Sequence, residues 1–167
     1  MAENDQVAGQ PVAQTNTSET KFGVQRIYLK DASFEAPDSP ESFRRAYSPQ
    51  VSFSINSRSK KLDGNLFEVV LRLTADVKQE DKTVFLVEVQ QAGIFEIAGL
   101  EGERLEQALS ITCPTVLFPY GREAIDALMI KGSFPALMLA PINFEAVYVQ
   151  AKRTQAEKAA SAGAPLN

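Results

Sequence analysis

The sequence predicts an α+β fold, with four mostly antiparallel strands whose sheet is covered on one face by helix. Three observations carry this. Between Lys21 and about Ala98 the apolar residues recur mainly with period two, the spacing that sets alternate side chains on one face of a strand. After Gly93 the spacing changes to the i, i+3, i+4 pattern of an apolar helix face. The strand segments are joined by short connections, which pair antiparallel neighbours, and strands followed by helices make an α+β architecture. With 167 residues, 44% of them apolar and 23% charged, the chain holds one ordinary domain.

The first predicted strand runs from Val24 to Phe34, with Val24, Arg26, Tyr28 and Lys30 sharing a face. The turn-rich Ala36-Pro37-Asp38-Ser39-Pro40 ends it, and the second strand shows Val51, Phe53 and Ile55 alternating with Ser52, Ser54 and Asn56. Asp63-Gly64-Asn65 then signals a turn before the clearest strand, where Phe67, Val69, Leu71 and Leu73 oppose Glu68, Val70, Arg72 and Thr74. The fourth strand, Val84 to about Gln91, follows the polar Lys78-Gln79-Glu80-Asp81-Lys82 connection of hairpin length. Leu100, Leu105, Leu109 and the run Val116 to Met129 predict helix, with Glu101, Glu103 and Glu106 enriched near its favourable N-terminal end. Pro114 and Pro119 are expected to interrupt or kink it, and Gly132 to stop it. Ser133 to Ile142, holding Pro135 and Pro141, is an apolar but non-helical connection. A last helix starts at Asn143, a candidate cap, with Phe144, Val147, Tyr148 and Ala151 on one side. Polar residues 1–21 are expected to form a disordered tail and residues 152–167 a flexible one, around a domain of residues 22–151.

Composition excludes much chemistry. There are no histidines, which removes Ser-His-Asp and Cys-His nucleophile systems and imidazole metal sites. The lone Cys113 forms no intrachain disulfide or CxxC pair, so a reducing cytoplasm is the expected compartment. A net charge of -4 opposes the positive field that phosphate backbones select, so nucleic acid is not an expected partner. Residues 1–20 show neither the basic start nor the apolar run of a secretory signal, and no stretch reaches the ~18 apolar residues of a membrane span. No catalytic residue is predicted: Glu123 and Asp126 share a helix face without a partner base, and Gly99-Leu100-Glu101-Gly102 lacks the completion of a phosphate loop. No metal or other cofactor is expected.

Two surface features point to binding. Asp31, Ser33 and Glu35 share a strand face, as do Leu86 and Glu88, so the first and fourth strands present either a solvated sheet face or an acidic platform for a basic partner. Between Val84 and Cys113, Glu88, Glu96, Glu101, Glu103 and Glu106 outweigh the single Arg104 and strengthen the platform reading. Large apolar residues also occupy predicted loops: Phe34, Phe43, Tyr47, Phe134, Leu137, Met138 and Leu139. These loops either fold down to cap the core or line a groove open to apolar ligands, with Phe144 and Tyr148 beside it.

Several segments together resemble the bacterial protein-export chaperone family SecB. They are Gln25-Arg26-Ile27-Tyr28-Leu29-Lys30-Asp31-Ala32-Ser33-Phe34-Glu35-Ala36-Pro37, Phe67-Glu68-Val69-Val70-Leu71-Arg72 and Glu88-Val89-Gln90-Gln91-Ala92-Gly93-Ile94-Phe95. Cys113-Pro114 with Leu117-Phe118-Pro119-Tyr120-Gly121-Arg122-Glu123, and Gly132-Ser133-Phe134-Pro135 followed by Leu139-Ala140-Pro141-Ile142-Asn143-Phe144, complete the set across residues 22 to 150. The resemblance implies a four-stranded antiparallel sheet with one long and one short helix on one side, assembled as a dimer of dimers. It implies an ATP-independent chaperone, not an enzyme, that holds unfolded preproteins in apolar grooves and passes them to the SecA translocation ATPase. The family's SecA-contacting positions fall on Asp31, Glu35, Leu86 and Glu88, and its assembly-sensitive positions on Val87, Val89 and Gln91. Phe34, Phe43, Phe134, Leu137, Phe144 and Tyr148 are the groove candidates. Gly121 replaces an alanine common in the family's Phe-Pro-Tyr motif. The alternatives are a SecB-like chaperone dedicated to another client, such as an antitoxin, and a small-ligand-binding α+β domain.

Overall fold

A computed structural model describes residues 19–162. Most of the predicted N-terminal tail and residues 163–167 lie outside the described residues. Four strands form one antiparallel sheet in the order β1-β4-β3-β2: β1 is Lys21–Glu35, β2 Gln50–Lys61, β3 Leu66–Gln79 and β4 Lys82–Ala98. The helical part comprises α1 (Gly102–Gln107), a π turn (Ala108–Thr112), α2 (Cys113–Lys131) and α3 (Phe144–Ala162). This is the α+β architecture that the periodicities predict. Among the described residues no helix is long and apolar enough to cross a membrane.

The core lies between the sheet and α2. Val69, Leu71 and Leu73 of β3, Phe85, Val87 and Val89 of β4, and Leu117, Ile125 and Met129 of α2 are fully enclosed in it. The alternation of β3 does what its sequence pattern promises, with Arg72 exposed and Leu71 and Leu73 buried to either side.

β4 runs to Ala98, past the predicted end near Gln91. Gly93 hides the continuation, because it stands at a core-facing position without a side chain to mark the period. The space is already filled: a Cβ on Gly93 would lie 2.7 Å from the Phe95 ring and 3.0 Å from Leu117 Cδ2. β1 shifts register between Val24 and Arg26 and again between Leu29 and Asp31. These irregularities correct the predicted shared face. Val24 pairs with core-facing Phe95, whereas Arg26 and Tyr28 pair with Ile94 and Ala92 on the opposite side.

Pro119 neither ends nor breaks the helix, since buried Leu117, Phe118, Gly121 and Ile125 anchor α2 on both sides of it. Pro114 sits in the first turn of α2, directly after the wider π turn, where the helical ladder is already rearranged. Asn143 caps α3 as expected, its Oδ1 accepting from the Ala146 N–H at 3.0 Å. α3 continues past residue 151 to Ala162 and has 19 residues, as many as α2. The longer helical unit is therefore the α1, π turn and α2 combination.

Candidate functional site

The sheet has one face under the helices and one facing away from them. On the outer face, register brings the acidic candidates together in consecutive rows. Glu35 stands opposite Leu86, which pairs in turn with Asp76, and Ser33 stands opposite Glu88, which pairs with Thr74. Asp31 opposite Gln90 and Arg72 forms the next row. Asp31, Glu35, Leu86 and Glu88 thus occupy one patch, with the apolar Leu86 half-buried among carboxylates. Glu88 is held in place by Thr74 Oγ1, which donates to its Oε2 at 3.2 Å, and by Arg72 Nε at 3.5 Å from Oε1. Gln90 Nε2 donates to Asp31 Oδ2 at 3.4 Å.

The remaining acids of the 84–113 stretch do not join this patch, which corrects that expectation. Glu96 lies at the far end of β4, tied to Lys21 Nζ at 2.7 Å and Gln25 Nε2 at 2.9 Å. Glu106 of α1 pairs with Lys152 of α3 at 2.7 Å. The linear charge count failed because β4 and α1 carry their carboxylates to different ends and layers. On the same outer face, Glu68 accepts from Lys30 Nζ at 2.5 Å and from the Tyr28 hydroxyl. The Lys30 hydrogen bond first, and the Tyr28 bond second, hold its carboxyl below the usual range, while burial and the bond to Glu68 push the Tyr28 phenol up to about 12.

On the helix side the groove candidates separate into two groups. Phe34, Phe43 and Phe134 form an aromatic cluster with Phe85 of β4, which is not among the sequence-derived groove candidates. Ring centroids are 4.8 Å apart for Phe85 and Phe134, 5.0 Å for Phe43 and Phe134, and 5.9 Å for Phe34 and Phe85. Phe134 is 5% exposed and Phe43 50%, so the cluster has a buried base and an open rim. The connection that carries Leu137 is pinned to α2, with the Leu137 N–H donating to Asp126 Oδ1 at 3.0 Å and Arg122 Nη1 donating to the Leu139 carbonyl at 3.2 Å. Asp126 is thus a loop anchor. Met138 next to it stands 76% exposed.

Phe144 and Tyr148 belong to the second group. Phe144 packs edge-on against Phe118 at 6.0 Å, and both candidates line a hollow of about 300 Å³ between β2, the π turn and α3. Ile55, Leu71 and Val147 also line it. Ile55 and Val147 were visible as apolar positions of β2 and α3, but only their packing shows that they share a hollow. Of the loop residues, Phe134 therefore caps the core, whereas Phe43 and Met138 stay exposed.

Val87 and Val89 are 0% exposed and Gln91 4% exposed, all three beneath α2. A Cβ on Gly121 would lie 3.5 Å from Gln91 Cβ and 2.8 Å from Leu73 Cδ1, so α2 packs closely on the sheet where it carries no side chain. Cys113 is also enclosed, and burial pushes its thiol up to about 12.

Comparison with known proteins adds independent observations. A family model described as preprotein translocase subunit SecB matches residues 15–155. The chain is 51% identical to the protein-export protein SecB of Marinobacter nauticus, covering 96% of this chain and 94% of that one. It is 52% identical to the Hahella chejuensis protein of the same name, with 97% of each covered. Among solved structures, a SecB-like chaperone of Mycobacterium tuberculosis, in complex with a ChAD peptide from an antitoxin, superimposes with a TM-score of 0.62 at 17% identity, covering 72% of this chain and 90% of that one. That likeness shows the fold. The extent and identity of the sequence matches establish that the chain belongs to the SecB family of protein-export chaperones.

Proposed function

We propose that this chain works in the cytoplasm as a homotetramer, a dimer of dimers, that holds unfolded preproteins and delivers them to SecA without catalysing a reaction. The observation that supports this is the separation of two surfaces across the sheet. Asp31, Glu35, Leu86 and Glu88 share the outer face, and the half-open aromatic cluster and the 300 Å³ hollow lie on the helix side. Opposed surfaces allow client and SecA to be held at once. Burying four aromatic or branched client side chains gives roughly 6–12 kcal/mol before ordering costs, and such contacts ask for no particular sequence. Assembly is supported by apolar surface left open on α2, where Tyr120 is 51% and Ile130 64% exposed. Val87, Val89 and Gln91 would influence assembly through the seat they give α2, being themselves covered.

The test is light scattering coupled to gel filtration, with the chain alone and mixed with a reduced, unfolded preprotein. A mass of four 18.3 kDa chains that rises by one client, only while that client is unfolded, is the expected result. Glu88→Lys is expected to weaken SecA binding and leave client capture intact. A monomer indifferent to the client, or a variant that loses both activities together, would refute the proposal.

A further inference from the structure

Beside the acidic patch, the outer face carries a second charged feature that the docking proposal does not use. Arg58 of the edge strand β2 reaches across β3, and its Nη2 donates to Gln90 Oε1 at 3.2 Å. Gln90 spends its Nε2 on Asp31 at 3.4 Å, so one amide links the basic group to the acidic patch and is oriented by both. Between Arg58 and Arg72 the face dips into a hollow of about 100 Å³, lined by Asn56, Arg58, Val70, Arg72 and Gln90. Its space is roughly that of three waters. Arg72 turns its Nε toward Glu88, at 3.5 Å, and among the described residues the terminal end of its guanidinium is left for another acceptor. Planar guanidinium forks match carboxylate oxygens better than any other side chain does.

We propose that this hollow is a carboxylate subsite of the docking face. It takes an acidic side chain of the same segment whose basic residues lie on Asp31, Glu35 and Glu88. The inference rests on the docking proposal above and specifies the chemistry of the docked segment. Register gives the spacing. The Arg72 row lies two residues from the Glu88 row along β3, and the row that pairs Arg58 with Val70 lies four residues from it. At ~3.3 Å per residue that places the carboxylate ~7–13 Å from the acidic centre, two to four positions along an extended segment. Opposite charges at that separation fix the direction and register in which the segment lies.

The experiment is equilibrium binding of purified SecA to the full-length chain, to Arg58→Glu and to Glu88→Lys, at one ionic strength. Because Arg58 is exposed on an edge strand, circular dichroism melting and capture of an unfolded client check that the variant retains its fold. A segment of mixed charge is expected to bind Arg58→Glu about tenfold more weakly. A merely basic partner would bind it more tightly, since the substitution enlarges the acidic patch. Unchanged or tighter binding, with Glu88→Lys still weakened, overturns the carboxylate subsite and leaves the docking proposal standing. If Glu88→Lys binds normally, the docking proposal falls and the subsite with it.

Discussion

Replacing Phe43 by Ala separates client binding from core packing. Phe43 sits in the short 3-10 turn Glu41–Arg44, is 50% exposed, and packs at a tilt against Phe134 at a centroid distance of 5.0 Å. Losing that ring pair costs about 0.5–1.5 kcal/mol of stability. In a chain of this size that is a melting shift of about 1–6 °C. The half of the ring still open, roughly 100 Å², is what a client would cover, and at ~25 cal/mol per Å² its removal costs up to ~2.5 kcal/mol of binding. Affinity for a fluorescently labelled unfolded preprotein, followed by anisotropy, is expected to fall by about tenfold and by no more than about 70-fold, since ~1.4 kcal/mol is a factor of ten. Phe134→Ala supplies the contrast, because Phe134 is 5% exposed and meets Phe34, Phe43 and Phe85 together. It is expected to cost about 3–5 kcal/mol of stability. If Phe43→Ala leaves client affinity unchanged, the aromatic rim is only a cover over the core, and the groove assignment at this end is wrong.

Two further outcomes follow from the core. Gly93→Ala places a methyl 2.7 Å from the Phe95 ring and 3.0 Å from Leu117, both fully buried and unable to retreat, so denaturant unfolding is expected to show a loss of about 1–3 kcal/mol. A wild-type midpoint would mean that β4 and α2 are not packed as described. For Cys113, the thiol is raised from 9.0 to about 12 by burial, so the unfolded chain ionises first as pH rises. Its contribution to stability is whole below pH 9.0 and is lost between there and about 12, at ~1.4 kcal/mol per pH unit. Cys113→Ala is expected to remove that part of the alkaline slope in urea melts, and the native thiol to resist disulfide reagents at pH 8 until the chain is unfolded. Rapid labelling of the folded chain would show that the thiol is accessible.

The residue pattern alone carried the fold class, the helix-facing side of β3, the Asn143 cap and the shared face of Asp31, Ser33 and Glu35. These depend on spacing within one segment, where period two or period 3.6 fixes which side chains lie together. It misjudged the end of β4 because Gly93 interrupts the pattern with a missing side chain, and it misjudged a face of β1 because a register shift leaves no mark in composition. Which residues meet across elements is set by strand pairing and packing. Glu88 lies beside Glu35 and Asp31 because β4 pairs with β1, whereas Glu96 on the same strand is carried to Lys21 at the opposite end. The same pairing logic draws Arg58 and Gln90 together across β3 and divides the aromatic candidates between a ring cluster and a hollow. Register and packing couple residues far apart in the chain, and periodicity within a segment carries no information about its partner's alignment.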